Sequence, residues 1–324
     1  VEVSSSNATP GLVIYANDGT STNLGANTNW VFKNFPLSDP NYYLLRYDGD
    51  VGGGSTPNLG GSLAYGDFDG DGVMDVACSG GAELSGDDPA KAVWALKTVE
   101  VSPVLWETTI GSYGNALTLG DFTGEGVLDA IGVSSDDEAY ALNGSDGTIL
   151  WQWTGAGNLY TVATGDFNND GVDDAAVAGA ADIITALNGV NGSVLWQFTQ
   201  AGDQYYRKTL ETTDLNNDGY VDVIAGNDDS FVYAINGDTG GLIWSVDLDG
   251  QVRDIDLVQA DGYGPVDVVA AANAQIAVIN GSDGNILWDY TTDVSNAKNV
   301  VALDANNDGN IDVAWGSIYQ VELI

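Results

Sequence analysis

The chain has 324 residues, 43 of them glycine, and sets 47 Asp and Glu against eight Lys and Arg for a formal charge of −39. That balance excludes nucleic acid and anionic membrane surfaces as partners, because phosphate binding rests on Lys and Arg. With no His, one Cys and one Met, an intrachain disulfide is impossible. No apolar run approaches the ~18 residues of a membrane span, so membrane insertion is not expected.

In chain order, residues 1–60 offer four short apolar runs, VEVSSS, GLVIYAND, NWVFKNF and YYLLRYDG. The chain opens at Val1 without an apolar leader, as a mature secreted product does, so an extracellular or cell-surface location is expected. From residue 61 onward a repeat takes over. Its acidic half reads DFDGDGVMD from Asp67, DFTGEGVLD from Asp121, DFNNDGVDD from Asp166, DLNNDGYVD from Asp214 and DANNDGNID from Asp304. A degenerate copy, QADGYGPVD, begins at Gln259.

A second repeat runs in phase, ending in an aliphatic–Trp pair at Trp106, Trp151, Trp196, Trp244 and Trp288. The last four follow glycine turns that begin at Asn143, Asn188, Asn236 and Asn280. Between these marks lie short runs rich in Val, Ile, Thr and aromatics, such as TVATGD, DAAVAGA, DIITALNG and SVLWQFT. None has a sustained helical period, and Asn-Gly and Asp-Gly turns favour hairpins. Two registered repeats of ~45 residues match four-stranded propeller blades.

The expected fold is therefore all-β, one β-propeller domain of four-stranded antiparallel blades over 1–324. Residues 61–324 supply six repeats and 1–60 a divergent N-terminal blade. At the far end IDVAWGS and IYQVELI provide two strands but no Trp-bearing fourth. Seven blades result if VEVSSS completes that last blade. The alternative is six blades plus an N-terminal strand or hairpin.

The acidic loop has the chemistry of a calcium site. Oxygen ligands at positions 1, 3 and 5 of a tight loop, a carbonyl at 7 and a carboxylate at 9 can enclose one hard cation, with glycine at 6 for the bend. The first loop offers Asp67, Asp69, Asp71, the Val73 carbonyl and Asp75; the third, Asp166, Asn168, Asp170, Val172 and Asp174. The fourth offers Asp214, Asn216, Asp218, Tyr220 and Asp222; the fifth, Asp304, Asn306, Asp308, Asn310 and Asp312. In the second, Asp121, Thr123, Glu125, Val127 and Asp129 depart at positions 3 and 5, which weakens the set. Gln259 and Tyr263 stand where acids are needed in the sixth copy, so no metal is expected there. Four to five Ca²⁺ sites result. An EF-hand is excluded, because position 12 holds Cys78, Gly132, Val177, Ala225 or Trp315 and never Glu.

The five loops between strand-like runs resemble the FG-GAP repeat of integrin α-subunit propellers and related bacterial and archaeal surface proteins. The ALNGSDGTILW-type segment resembles the repeat of pyrroloquinoline-quinone-type propellers. The resemblance covers residues 61–324 and implies Ca²⁺ held between two strands of each blade, on one face of the disc. It implies a non-enzymatic structural or adhesive surface module. A self-assembling fibre or surface-layer subunit is one form, joined to other copies of itself through the terminal strands. A receptor-like propeller with a glycan or protein ligand is the alternative, and a quinoprotein-like enzyme the rival from another class. A lone Cys cannot supply that family's adjacent-cysteine pair, and no catalytic residue is assigned.

The remaining marked residues have plainer expectations. Trp151, Trp196, Trp244 and Trp288 recur at one place per blade and are expected to pack between sheets. Tyr42, Tyr43, Tyr205 and Tyr206 break the repeat and are candidates for exposed contacts. Cys78 is expected to be a buried small hydrophobe. Asn7, Asn143, Asn191 and Asn280 lie in N-x-[ST] sequons.

Overall fold

A computed structural model gives the architecture. It describes residues 30–34, 43–47, 63–79, 92–97, 104–112, 114–200, 205–206, 209–248, 250–260, 262–292, 297–305, 310–317 and 321–324. Among these every regular element is a β-strand, and all pairing is antiparallel.

Two strands, β1 (Trp30–Asn34) and β2 (Tyr43–Tyr47), form a two-stranded ladder from NWVFKNF and YYLLRYDG. The first blade is β3 (Leu63–Gly66), β4 (Asp75–Ser79), β5 (Ala92–Leu96) and β6 (Val104–Thr109). The second runs through β7 (Gly114–Gly120), β8 (Asp129–Ser134), β9 (Glu138–Leu142) and β10 (Ile149–Thr154). The third contains β11 (Leu159–Gly165), β12 (Asp174–Gly179), β13 (Ile183–Leu187) and β14 (Val194–Thr199). The fourth contains β15 (Leu210–Thr213), β16 (Asp222–Gly226), β17 (Phe231–Ile235) and β18 (Leu242–Asp247), and the fifth β19 (Val252–Val258), β20 (Asp267–Ala272), β21 (Gln275–Ile279) and β22 (Ile286–Thr291). A sixth sheet has three strands, β23 (Asn299–Leu303), β24 (Asp312–Gly316) and β25 (Val321–Leu323).

Each four-stranded sheet is a meander in sequence order, as short strands joined by tight turns dictate. The molecule is a β-propeller. Its six described blades and the β1–β2 ladder account for the expected strands from residue 30 onward. VEVSSS, on which the expected closure of the last blade depends, and GLVIYAND, expected in the divergent first blade, lie outside the described residues.

First strands of successive blades lie side by side, tied by side-chain bonds across the seams. The Thr164 hydroxyl donates to the Leu119 carbonyl and Thr212 to that of Thr164. Second and third strands are buried on both faces, for example Asp174–Gly179 and Asp267–Ala272 along their whole length. Alanine there lets neighbouring sheets approach, while Ile184, Leu187, Ile224 and Ile235 fill the space between them.

The Trp repeat supplies the blade-to-blade clamp. Trp106, Trp151, Trp196 and Trp244 are 6–8 % exposed. Each indole Nε1–H donates to a glycine carbonyl in the next blade's turn between third and fourth strands: Gly144, Gly189, Gly237 and Gly281. The following glycines, Gly147, Gly192, Gly240 and Gly284, have φ of 68 to 75° and lie so close to the ring that a Cβ would stand 2.7–3.0 Å from it. Glycine is required at those four positions both for backbone conformation and for space.

Trp288 departs from the expectation that all four later tryptophans are packed. It is 38 % exposed. Its neighbour is the three-stranded blade, which among the described residues has no third-to-fourth-strand turn to lie against the indole. Tyr206 also departs, in the opposite sense: it is fully buried in the core between the third and fourth blades. Tyr205 is half-buried; Tyr42 and the side chain of Tyr43 lie outside the described residues.

Candidate metal loops and the first-strand acids

The acidic repeats are the loops between first and second strands, so all lie at the same end of their blades. Their closure is set by position 1. Asp67 Oδ1 accepts from the amides of Gly70 and Asp71 and its Oδ2 from Gly72. Asp121 repeats all three contacts with Gly124, Glu125 and Gly126. Asp166 and Asp214 each repeat the last two.

Gly72, Gly126, Gly171 and Gly219 at position 6 have φ of 79 to 91°, as the sharp bend requires. Position 4 is also left-handed, with Gly70, Gly124, Asn169 and Asn217 at φ of 57 to 72°. The alternation of Gly and Asn there was a readable signal, since these residues tolerate that region best.

In the first loop the bend brings carboxylate oxygens of Asp67, Asp69 and Asp71 within 4.8 Å of one another. The third and fourth loops have the same backbone, with the Asn168 and Asn216 carbonyl oxygens accepting from Asp170 and Asp218. In the second, Thr123 donates its hydroxyl to Asp121. In the fifth, Asn306 and Asp308 lie outside the described residues, which retain Asp304, Asn310 and Asp312.

Position 9 does something further. Asp75, Asp129, Asp174 and Asp222 are buried. One oxygen of each accepts from the amide at position 2, that of Phe68, Phe122, Phe167 or Leu215. The other oxygen of the last three accepts from Gly144, Gly189 or Gly237 in the same blade's later turn. Burial pushes Asp75, Asp174 and Asp222 up to about 6 and raises Asp129, with these bonds opposing it.

The degenerate copy isolates this role. Asp267 accepts from Ala260 and Gly281 in the same way, although Gln259 and Tyr263 replace the acids. Gln259 closes its loop by accepting from Gly262 and donating to the Gly264 and Pro265 carbonyls. Position 9 is thus a staple between two turns, whatever else it binds. Asp267→Ala is expected to cost about 2–3 kcal/mol in denaturant unfolding, through two orphaned amides. The loss should be equal with and without calcium; a calcium-dependent loss would contradict the staple.

A second acidic group lies on the first strands. Asp254 and Asp256 of β19 accept from the Val300 and Ala302 amides of β23 at 2.8 and 2.7 Å. Burial, then the charges of Asp256 and Asp254, push Glu211 of β15 up to about 7 from its ordinary 4.5. Burial likewise pushes Asp254 up to about 6. The native state therefore holds the Glu211 proton more tightly than the unfolded chain. The stability this contributes is complete below pH 4.5 and is lost as pH rises through about 7. Glu211→Gln should flatten the pH dependence by about 2–3 kcal/mol over that window in urea titrations. Parallel curves for the two proteins would exclude it.

Other features carry less chemistry. Cys78 on β4 is half-buried, short of the full burial expected of it, and desolvation there pushes its thiol up to about 11. A cavity of about 230 Å³ lies between the second and third blades, lined by Trp153, Leu159, Val177, Ile183, Thr185 and Gln197.

Among solved structures, the chain is similar to Sqt1 of Saccharomyces cerevisiae (13 % identity, TM-score 0.63, covering 77 % of this chain and 67 % of that one). BamB of Moraxella catarrhalis is similar at 13 % identity and TM-score 0.55, over 82 % and 72 % of the two chains. The WD40 propeller domain of Doa1 follows at 14 % and 0.54, over 77 % and 74 %. At such identities these likenesses establish the propeller fold alone. No curated protein matches the chain. The family described as outer membrane protein assembly factor BamB, a PQQ-type repeat family, matches residues 99–228 and 217–309. That match spans more than half of the sequence and agrees with the in-phase Trp repeat, and the chain belongs to this family.

Proposed function

We propose that the chain is a non-enzymatic, calcium-stabilised propeller that serves outside the cell as a structural or adhesive module. The observation that carries this reading is the convergence of Asp67, Asp69 and Asp71 within 4.8 Å in a loop whose backbone recurs around the disc. The donor set fits a hard cation: carboxylate and amide oxygens, with no nitrogen or sulfur. Positions 1, 3 and 5 of the first, third and fourth loops would hold Ca²⁺ together with the position 7 carbonyls of Val73, Val172 and Tyr220 and the position 9 carboxylates. Asp121, Glu125 and Asp129 give the second loop a poorer set. Bound calcium supplies charge neutralisation and cross-linking of the loop, not catalysis. The carboxylates best placed for acid–base chemistry already accept backbone hydrogen bonds, which supports a non-catalytic role.

A self-assembling subunit is the form supported by the last blade. There, among the described residues, β25 pairs with β24 on one side, and Val321 and Leu323 are exposed. A neighbouring copy's strand can add to such an edge. Negative-stain electron microscopy of the protein at high concentration, with and without millimolar calcium, should show calcium-dependent polymers. Monomers alone in both would defeat assembly. The cavity beside Trp153 favours the second reading, a glycan- or protein-binding propeller. BBS1N, a similar propeller at 10 % identity, was crystallised in complex with ARL6DN. Saturable binding to a glycan array, lost in Trp153→Ala, would decide for that reading.

A further inference from the structure

We infer that Lys97 is a tethered counter-cation of the first acidic loop, competing there with a divalent ion. The Lys97 ammonium hydrogen-bonds the Asp69 carboxylate and stands 3.5 Å from Asp71 Oδ2. Both acids belong to the three that converge in that loop.

Comparison among blades makes the residue significant. Lys97 directly follows the third strand, after Ala95-Leu96. The same place in the next four blades holds Asn143, Asn188, Asn236 and Asn280. Asn188 and Asn236 reach the same target: their amides donate to position 5, Asp170 Oδ2 at 3.5 Å and Asp218 Oδ2 at 2.8 Å. The backbone thus aims a donor at position 5 in several blades. Among the described residues, the loop with acids at positions 1, 3 and 5 receives an ammonium where the third and fourth loops receive a neutral amide. The sixth copy shows that an internal donor can close such a loop, since Gln259 Nε2 serves the Gly264 and Pro265 carbonyls.

The physical consequence reverses what charge counting implies. Three aspartates should make the first loop the tightest cation site. A fixed positive charge on two of them opposes a second cation and must swing away before it binds. The lysine stem is long and flexible enough to do so. The first loop therefore has its charge offset without metal and fills after the third and fourth loops, whose position 5 carboxylates meet only a neutral amide. The competition rests on the calcium reading above; the closure by Lys97 does not.

The test uses the full chain as wild type, Lys97→Asn, which restores the residue of the other blades, and Lys97→Arg, which keeps the charge. Calcium titration by calorimetry should show one site in wild type that becomes about fivefold tighter in Lys97→Asn, the scale of one exposed ion pair. Lys97→Arg should behave as wild type. In EDTA, Lys97→Asn should melt a few degrees lower than the other two. Unchanged or weaker calcium affinity in Lys97→Asn overturns the competition. If none of the three proteins binds calcium, the calcium reading fails. The EDTA melts then decide closure alone: a lower melting temperature for Lys97→Asn supports it, and equal melts overturn it.

Discussion

Removal of divalent ions with EDTA is expected to lower the melting temperature by more than about 10 °C. Each site that binds the native state alone adds RT ln(1 + [Ca²⁺]/Kd), about 2.7 kcal/mol at a hundredfold excess over Kd. Four such sites sum to a shift well above the resolution of a thermal scan, even for a domain of this size. The sign follows from the loop geometry. Carboxylates brought together at positions 5 and 9, Asp170 with Asp174 and Asp218 with Asp222, repel when bare, and the unfolded chain lets them separate. Metal analysis of the purified protein is the companion measurement. An unchanged melting temperature with no calcium present would leave the acidic loops as hydrogen-bonded turns, which their Asp67-type and Asp75-type bonds already make them.

Trp196→Ala should be among the most damaging single substitutions, costing about 3–5 kcal/mol. It empties a buried site between the third and fourth blades and removes the bond to the Gly237 carbonyl. It also removes the contact with Phe167, whose ring centroid lies 6.1 Å away. Trp288→Ala, at the same repeat position but 38 % exposed, should cost no more than about 1 kcal/mol. Paired urea unfolding curves measure the contrast. Equal losses would mean that Trp288 is covered in solution by something that restores the clamp.

Much of this was legible in the sequence because it is local. Hairpin turns from Asn143 to Asn280, strands ending in aliphatic–Trp pairs and left-handed glycines at position 6 are dictated within a dozen residues. The propeller followed from their spacing. What escaped depends on residues far apart in sequence or on which blade lies next. The Asp267 staple joins Ala260 to Gly281 across a whole hairpin. Glu211 meets the charges of Asp254 and Asp256 only because blade four lies beside blade five. The exposure of Trp288 was hidden for the same reason: its repeat unit looks like its siblings, and the difference lies in the next blade, which among the described residues has three strands. Lys97 was invisible because no Asn-Gly turn follows it, so its alignment with Asn188 and Asn236 emerges from strand register, not from the motif.

The indole bonds also have a direction. Every one runs from a blade's outermost strand forward to its successor's turn, from Trp106 to Gly144 and onward to Trp244 and Gly281. Each blade is thus fastened by the one before it, as in a one-dimensional chain of nearest-neighbour couplings. Among the described residues the forward fastening stops at Trp288, so loss of order should spread backward from the three-stranded blade. Amide hydrogen exchange would register this as a gradient, with β23–β25 exchanging fastest and protection rising toward the third and fourth blades.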